Sequence, residues 1–134
     1  MDKDITTEQV RQGWFIDLDW FRQNNRSFSA LAHGCLCAEC RERLKGEVSP
    51  ADLLTTIKDC CSKHPGFITD EMPILACVFR LFLANGNQPL ELEELGRQLS
   101  DWRGGDTYRT SAEILSRLLR SDQYYGLRQV QLNT

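Results

Sequence analysis

Long apolar runs are missing from this sequence of 134 residues. The longest apolar-rich stretch, residues 73–84, contains Arg80 and is too short to cross a bilayer. The first residues, Met1 to Asp4, are mostly charged, and they lack the basic start and apolar centre of a secretory signal. We therefore expect a cytoplasmic protein without a membrane-spanning segment.

A basic surplus is also missing. The 16 Lys and Arg residues are outnumbered by 19 Asp and Glu residues, which gives a net charge of -3. This balance argues against nonspecific binding to polyanions. From Arg97 to Arg128, however, the sequence has six arginines and four acidic residues, which gives a local charge of +2 (6 − 4). This segment is expected to form a weakly basic face.

Motifs for catalysis are scarce. The sequence has no glycine-rich phosphate loop, no paired carboxylate site and no serine elbow. Cys37 and Cys40 have the spacing of a thiol-disulfide redox pair, but such pairs follow a strand in a βαβ pattern that this sequence lacks. We therefore expect a non-enzyme. The apolar fraction of 41% and charged fraction of 26% are typical of a globular domain.

Cysteine is what the sequence does have, with six in all and three of them in "HGCLCAEC", residues 33–40. In a reducing cytoplasm, close cysteine spacing indicates metal binding or redox chemistry more than disulfides. Cys37-x-x-Cys40 allows two thiolates from one tight turn to reach the same ion. Cys60 and Cys61 form a second pair about twenty residues later. We predict a metal site formed by Cys37, Cys40, Cys60 and Cys61.

The fourth ligand has alternatives. Adjacent cysteines can bind one ion only if the helix that carries them is distorted, and Cys61 falls on the apolar stripe of that predicted helix. If Cys60 binds alone, the remaining position goes to Cys35, His64 or His33, with Cys35 as the first substitute.

Zinc is the predicted metal because a closed site of four thiolates is a common staple of small intracellular domains. It would lock the short helix at residues 38–45 against the helix at 50–62. An iron-sulfur cluster is the alternative, since Cys35, Cys37, Cys40 and Cys60 also supply four thiolates. Cys77 lies within the central apolar helix, and we predict that it packs in the core.

Helical periodicity is expected at the N-terminus, in "TTEQVRQGWFIDLDWFRQNN". Steps of four, four and three place apolar residues on one helix face: Val10, Trp14, Leu18 and Phe21. Phe15 and Trp20 lie off this face. The predicted helix would therefore be covered on more than one side, by the rest of the chain or by a second copy in a homodimer.

Further helices are predicted along the chain. "SPADLLTTIKDCCSKHPG" begins with a capping serine and a proline at the first helical position. "PILACVFRLFLANG" is apolar nearly all round, which is typical of a central helix. "NQPLELEELGRQLSDW" and "DTYRTSAEILSRLLRSD" each carry an apolar face, and "YYGLRQVQL" suits one or two short strands.

The order of these elements from Pro73 to Leu132 resembles the winged-helix version of the helix-turn-helix domain. The matching segments are the apolar helix, "PLELEELGRQL", "TYRTSAEILSRLL" and "YYGLRQVQL". The expected fold is thus mainly α. A helical, Cys-rich, zinc-binding part, residues 1–68, would pack on a winged-helix-like three-helix unit with a short β wing, residues 69–134, as one cooperative unit.

This resemblance implies binding to duplex DNA and a role in transcriptional regulation, with the third helix in the major groove. The candidate DNA contacts are polar residues around that helix and in the wing: Arg103, Thr107, Tyr108, Arg109, Thr110 and Arg128. The same residues can instead form a solvated face. Winged-helix domains also serve as protein-protein adaptors, and the acidic charge of this chain suits that alternative. A second alternative is a redox-sensing regulator, which an iron-sulfur cluster at the cysteines would imply.

Overall fold

A computed structural model of the chain describes residues 11–104 and 110–132. Within these ranges the chain is mainly helical, with a small three-stranded sheet. In chain order the elements are β1 Arg11–Ile16, α1 Leu18–Gln23, α2 Phe28–His33, α3 Ala38–Arg43, α4 Pro50–Asp59, a 3-10 turn Cys61–Lys63, α5 Ile74–Ala84, β2 Leu90–Glu91, α6 Leu92–Trp102, α7 Ala112–Arg120 and β3 Leu127–Leu132.

The predicted N-terminal helix is wrong over residues 11–16, which form β1. Trp14 and Ile16 are buried and Phe15 between them is only half-buried, the alternation that one strand face produces. Helix α1 starts only after Asp17, whose carboxylate accepts a hydrogen bond from the backbone N–H of Asp19. Val10, which the helical prediction placed on the same face, lies outside the described residues.

The sheet has the order β2-β1-β3, and both pairings are antiparallel. β3 pairs with β1 along its full length, from Leu127 opposite Ile16 to Leu132 opposite Arg11. The predicted wing is therefore one strand in the described part of the chain, and the N-terminal strand is its partner. The side chain of Asn87 extends the pairing, since it accepts from Ile16 N and donates to Ile16 O, both at 2.9 Å.

Helix α5 is the centre of the core, as its apolar sequence predicted. Its buried residues lie on nearly every side of the helix: Ile74, Cys77, Val78, Phe79, Leu81, Phe82 and Leu83. Aromatic rings from the N-terminal part of the chain reach it directly. Phe21 contacts Phe28 with ring centroids 5.7 Å apart, and Phe28 contacts Phe79 at 6.1 Å. Both predicted parts of the chain thus share one hydrophobic core.

Helices α6 and α7 pack closely against each other. Leu95 and Leu99 of α6 and Leu115 and Leu119 of α7 are fully buried. Gly96 faces Thr110, two residues before α7, and a Cβ atom at Gly96 would lie 2.4 Å from the Thr110 carbonyl oxygen. No helix within residues 11–104 and 110–132 is long and apolar enough to cross a membrane.

Candidate metal centre

The first cysteine pair lies at the start of α3. Cys37 is the N-cap residue, and its carbonyl oxygen accepts from Arg41 N at 2.9 Å. Cys40 follows in the first turn and is fully buried. Because residues three apart lie on the same side of a helical turn, both thiols point towards one location. This is the geometry that the Cys-x-x-Cys spacing predicted.

The second pair lies where α4 stops. The helix ends at Asp59, and Cys60 takes φ -129° and ψ -65°, which is outside the helical range. Cys61 then opens the 3-10 turn and is buried. The break in the helix is the distortion that two adjacent cysteines require in order to reach one ion.

The four sulfur atoms of Cys37, Cys40, Cys60 and Cys61 all lie within 4.8 Å of one another. Cys37 Sγ is 3.5 Å from Cys61 Sγ and 4.0 Å from Cys60 Sγ. Four thiolates placed tetrahedrally about 2.3 Å from a zinc ion have sulfur atoms about 3.8 Å apart. All four cysteines are free thiols. They are close enough to bind a metal ion.

Hydrogen-bond donors surround the sulfur atoms. The backbone N–H of Cys37 donates to Cys61 Sγ at 3.2 Å, and the Arg43 guanidinium donates to Cys40 Sγ at 3.3 Å. Arg41 holds the segment that leads into the site by donating to the carbonyl oxygens of Gly34 and Leu36. A divalent ion with four thiolates has a net charge of about −2, which such donors offset.

The thiols differ in acidity. A backbone hydrogen bond from Cys40 lowers the pKa of Cys37 to about 6. Two causes raise the pKa of Cys60 to about 11: the hydrogen bond with the Cys40 side chain is the larger, and burial is the next. Burial raises the pKa values of Cys40 and Cys61. Because the pKa values of three of the four thiols are raised, a metal ion that binds all four as thiolates would displace protons.

The substitutes for the fourth ligand do not join this group within the described ranges. Cys35 is buried, and its Sγ lies 3.8 Å from the carbonyl oxygen of Leu31. His64 is exposed and His33 half-buried. Cys77 is fully buried in α5, where the sequence placed it.

Arg103, one of the candidate DNA contacts, lies in the turn after α6 and is buried. The residue is only 4% exposed, and its guanidinium donates to the carbonyl oxygens of Thr69, Asp70 and Met72. The guanidinium is therefore engaged inside the fold in the turn after α6, and the DNA contact expected of Arg103 stays a prediction. Its three carbonyl partners connect the end of α6 to residues 69–72.

The other candidate DNA contacts differ in burial, and some lie outside the described residues. Thr110 is buried, with 4% of its surface exposed. Arg128 is half-buried, donates to the carbonyl oxygens of Asp122 and Leu127, and lies over the Trp20 ring at 5.0 Å. Three further candidates lie outside the described residues: Thr107, Tyr108 and Arg109.

Two arginines that the sequence analysis did not select are better exposed. Arg117 and Arg120 lie on the outer side of α7, three residues apart. Arg120 lines an open groove between α7 and β3 together with Arg128 and Gln129. Their position opposite the buried face of Leu115 and Leu119 was a signal available from helical periodicity.

Comparison of the chain with protein-family models, with curated proteins and with solved structures found no match. The cysteine group, which is close enough to bind a metal ion, is therefore the feature of the described residues that bears on function.

Proposed function

We propose that the protein is a non-catalytic, winged-helix-like DNA-binding protein in which a structural zinc ion locks α3 to the end of α4. The observation that carries the zinc part of the proposal is the group of four sulfur atoms within 4.8 Å of one another. Zinc binds four thiolates tetrahedrally and needs no redox chemistry to hold them. A site filled by four protein ligands leaves no position for a substrate, which supports a structural role.

The elements beside the cysteines need such a staple. Helix α3 has six residues, and Cys40 is its only buried one. A helix of this length has little intrinsic stability and must be held by its contacts. Metal binding at Cys37 and Cys40 from one side, and at Cys60 and Cys61 from the other, would supply them.

Zinc is favoured over an iron-sulfur cluster by the spacing of the sulfurs. Four sulfur atoms within 4.8 Å of one another have the spacing of ligands around a single ion. A cluster would place its own iron and sulfide atoms between them and push them further apart. Cys35, which the cluster hypothesis used as a ligand, lies outside the group.

Elemental analysis and an absorbance spectrum of anaerobically purified protein test the metal. We expect about one zinc per chain, no visible band, and loss of the zinc in Cys37→Ser and Cys40→Ser variants. Cys35→Ser, which changes a cysteine outside the group, is the matched control and should keep its zinc. A brown protein containing iron, or a protein without metal, would overturn the zinc proposal.

Duplex DNA is the proposed partner because α6 and α7 follow each other in the order of a helix-turn-helix. Buried Leu115 and Leu119 fix α7 on the core and leave Arg117 and Arg120 outside. Arginine binds phosphate or reads guanine through two hydrogen bonds. In a winged helix the corresponding third helix enters the major groove.

Fluorescence anisotropy with mixed-sequence duplexes tests DNA binding. The Arg117→Ala/Arg120→Ala double variant should bind more weakly, and its salt dependence should fall by about two in log-log slope if each arginine contacts one phosphate. Arg22→Ala is the matched control: its side chain is 80% exposed, like the 72% of Arg117, but lies on α1. An affinity for DNA that does not change with salt concentration, or that is the same in the double variant as in the wild type, would contradict DNA binding.

A protein-protein adaptor is the second candidate. Arg117 lies 3.8 Å from Glu113, and Arg97 of α6 forms ion pairs with Glu94 and Asp101. Cations that are already paired attract phosphate less, and the net charge of -3 acts in the same direction. Binding to a protein partner that persists in high salt, together with no affinity for DNA, would favour the adaptor.

A further inference from the structure

The four thiols of the centre are not equally accessible. Cys40 and Cys61 are 0% and 1% exposed, whereas Cys37 and Cys60 are half-buried. The two more accessible residues belong to different segments, the N-cap of α3 and the C-cap of α4. Their sulfur atoms are 4.0 Å apart. A small movement would bring them within bonding distance.

We propose that the zinc centre is also a peroxide-sensitive switch, in which Cys37 and Cys60 form a disulfide and the zinc ion leaves. This inference rests on the zinc centre proposed above. The oxidant is hydrogen peroxide or a related hydroperoxide, which can reach the half-buried sulfurs more readily than the buried pair.

The chemistry takes two steps. The Cys37 thiolate attacks one peroxide oxygen, so that an S–O bond forms, the O–O bond breaks, and the departing hydroxide takes a proton to become water. The Cys60 thiolate then attacks the sulfenic sulfur of Cys37, an S–S bond forms, the S–O bond breaks, and a second hydroxide is protonated to water. The two sulfurs lose two electrons, which the peroxide gains. Cys40 and Cys61 would then be the only two thiolates left to hold the zinc ion, and they would take up protons as it is released.

Cys61 is the nearer neighbour of Cys37, at 3.5 Å, but it is poorly placed to react. It is buried, and its sulfur accepts the Cys37 backbone N–H. Cys60 lies at the end of α4 in a non-helical conformation, where the side chain can reorient without breaking a helical turn. Cys35 and Cys77 are buried outside the group.

The test uses the full chain loaded with zinc and treated with one equivalent of hydrogen peroxide. A chromogenic chelator measures released zinc, and peptide mapping after thiol alkylation identifies the disulfide. We expect one zinc released per Cys37–Cys60 disulfide, and recovery of the zinc-bound form after a thiol reductant and zinc are added. Cys35→Ser should behave like the wild type.

Cys60→His separates ligation from disulfide formation. Histidine replaces cysteine as a zinc ligand in Cys₃His sites but cannot form a disulfide. The variant should bind zinc and lose the peroxide-induced release that is linked to a disulfide. Peptide mapping of the wild type decides the question if this variant fails to bind zinc.

The two proposals fail differently. A protein purified without zinc refutes the zinc centre before any oxidant is added. A zinc-bound protein that retains its ion under peroxide, forms a Cys37–Cys61 disulfide, or loses zinc only through sulfinic acid refutes the switch and leaves the zinc centre standing.

Discussion

Arg103 is an arginine that is buried in the interior of the fold. Its Nη1 atom lies 3.3 Å from the Thr69 carbonyl oxygen and 2.9 Å from that of Met72, and Nη2 lies 3.1 Å from that of Asp70. Nη1 also lies 3.2 Å from Cys77 Sγ in α5. A planar guanidinium with five donors can satisfy several carbonyls at once. The residue ties the end of α6 to the loop that precedes α5.

Arg103→Lys should lower the free energy of unfolding by at least about 1–2 kcal/mol, because an ammonium cannot reproduce the planar fork of donors. Urea unfolding measures the loss. Arg97→Lys is the matched control on the same helix, with a side chain 65% exposed, and should change little. Weakened DNA binding at unchanged stability would show that Arg103 acts in recognition instead.

Asp122 is a second interior charge, 3% exposed, at the turn between α7 and β3. Its carboxylate accepts from the backbone N–H groups of Tyr124, Tyr125 and Leu127. We expect Asp122→Ala to cost about 3 kcal/mol in unfolding free energy, because hydrogen bonds to a charged acceptor are lost and the buried N–H of Leu127 loses its partner. Asp122→Asn keeps one acceptor oxygen and should cost less. Equal losses in the two variants, measured by urea unfolding, would contradict this account.

At the scale of elements, the N-terminal strand β1 is the element that sequence periodicity predicted wrongly, as a helix. Trp14 fits both a helical step from Val10 and a two-residue step to Ile16, so local periodicity alone permitted either element. The strand forms because β3 and β2, more than 70 residues away, pair with both sides of it. Such nonlocal hydrogen bonding leaves no signal in a short window of sequence.

The cysteine site was more predictable because its signal is local. The spacing of Cys37 and Cys40 defines a turn, and Cys60 and Cys61 are adjacent in the sequence. The position of Arg103 was not predictable, since it depends on how α6 lies against residues 69–72. Sequence thus indicated which thiols meet, whereas packing decided which arginines remain at the surface.

Gly96 tests the contact between α6 and α7. Alanine favours a helix over glycine by about 1 kcal/mol, so propensity alone predicts stabilisation by Gly96→Ala. The new Cβ would instead lie 2.4 Å from the Thr110 carbonyl oxygen, and the two helices would have to separate. We therefore expect destabilisation in thermal unfolding.

Gly66→Ala is the control for this substitution, because no heavy atom lies within 4 Å of its new Cβ. It should change stability by less than about 0.5 kcal/mol. A Gly96→Ala variant as stable as the wild type would mean that α6 and α7 can move apart without loss.

At the scale of the whole molecule, the group of four cysteines lies at the edge of the hydrophobic core formed by the described residues. Phe79 contacts both Phe28 and Tyr125, with the Tyr125 ring centroid 5.3 Å away. Helix α4 buries Leu53 and Ile57 in the same core and ends at Asp59, directly before Cys60. A metal ion that fixes this end of α4 would therefore stabilise the folded chain as a whole, and not α3 alone.

Zinc should then raise the unfolding temperature in proportion to the logarithm of its free concentration. A ligand that binds only the folded state adds about 2.7 kcal/mol at 100 times its dissociation constant, and binding by unfolded cysteines would reduce this value. Thermal unfolding in buffers of fixed free zinc measures the slope. Cys40→Ser should abolish the dependence, whereas Cys35→Ser, a loss of one buried thiol outside the group, should keep it. If the wild type unfolds at the same temperature with and without zinc, the ion does not stabilise the core and the thiols must serve another purpose.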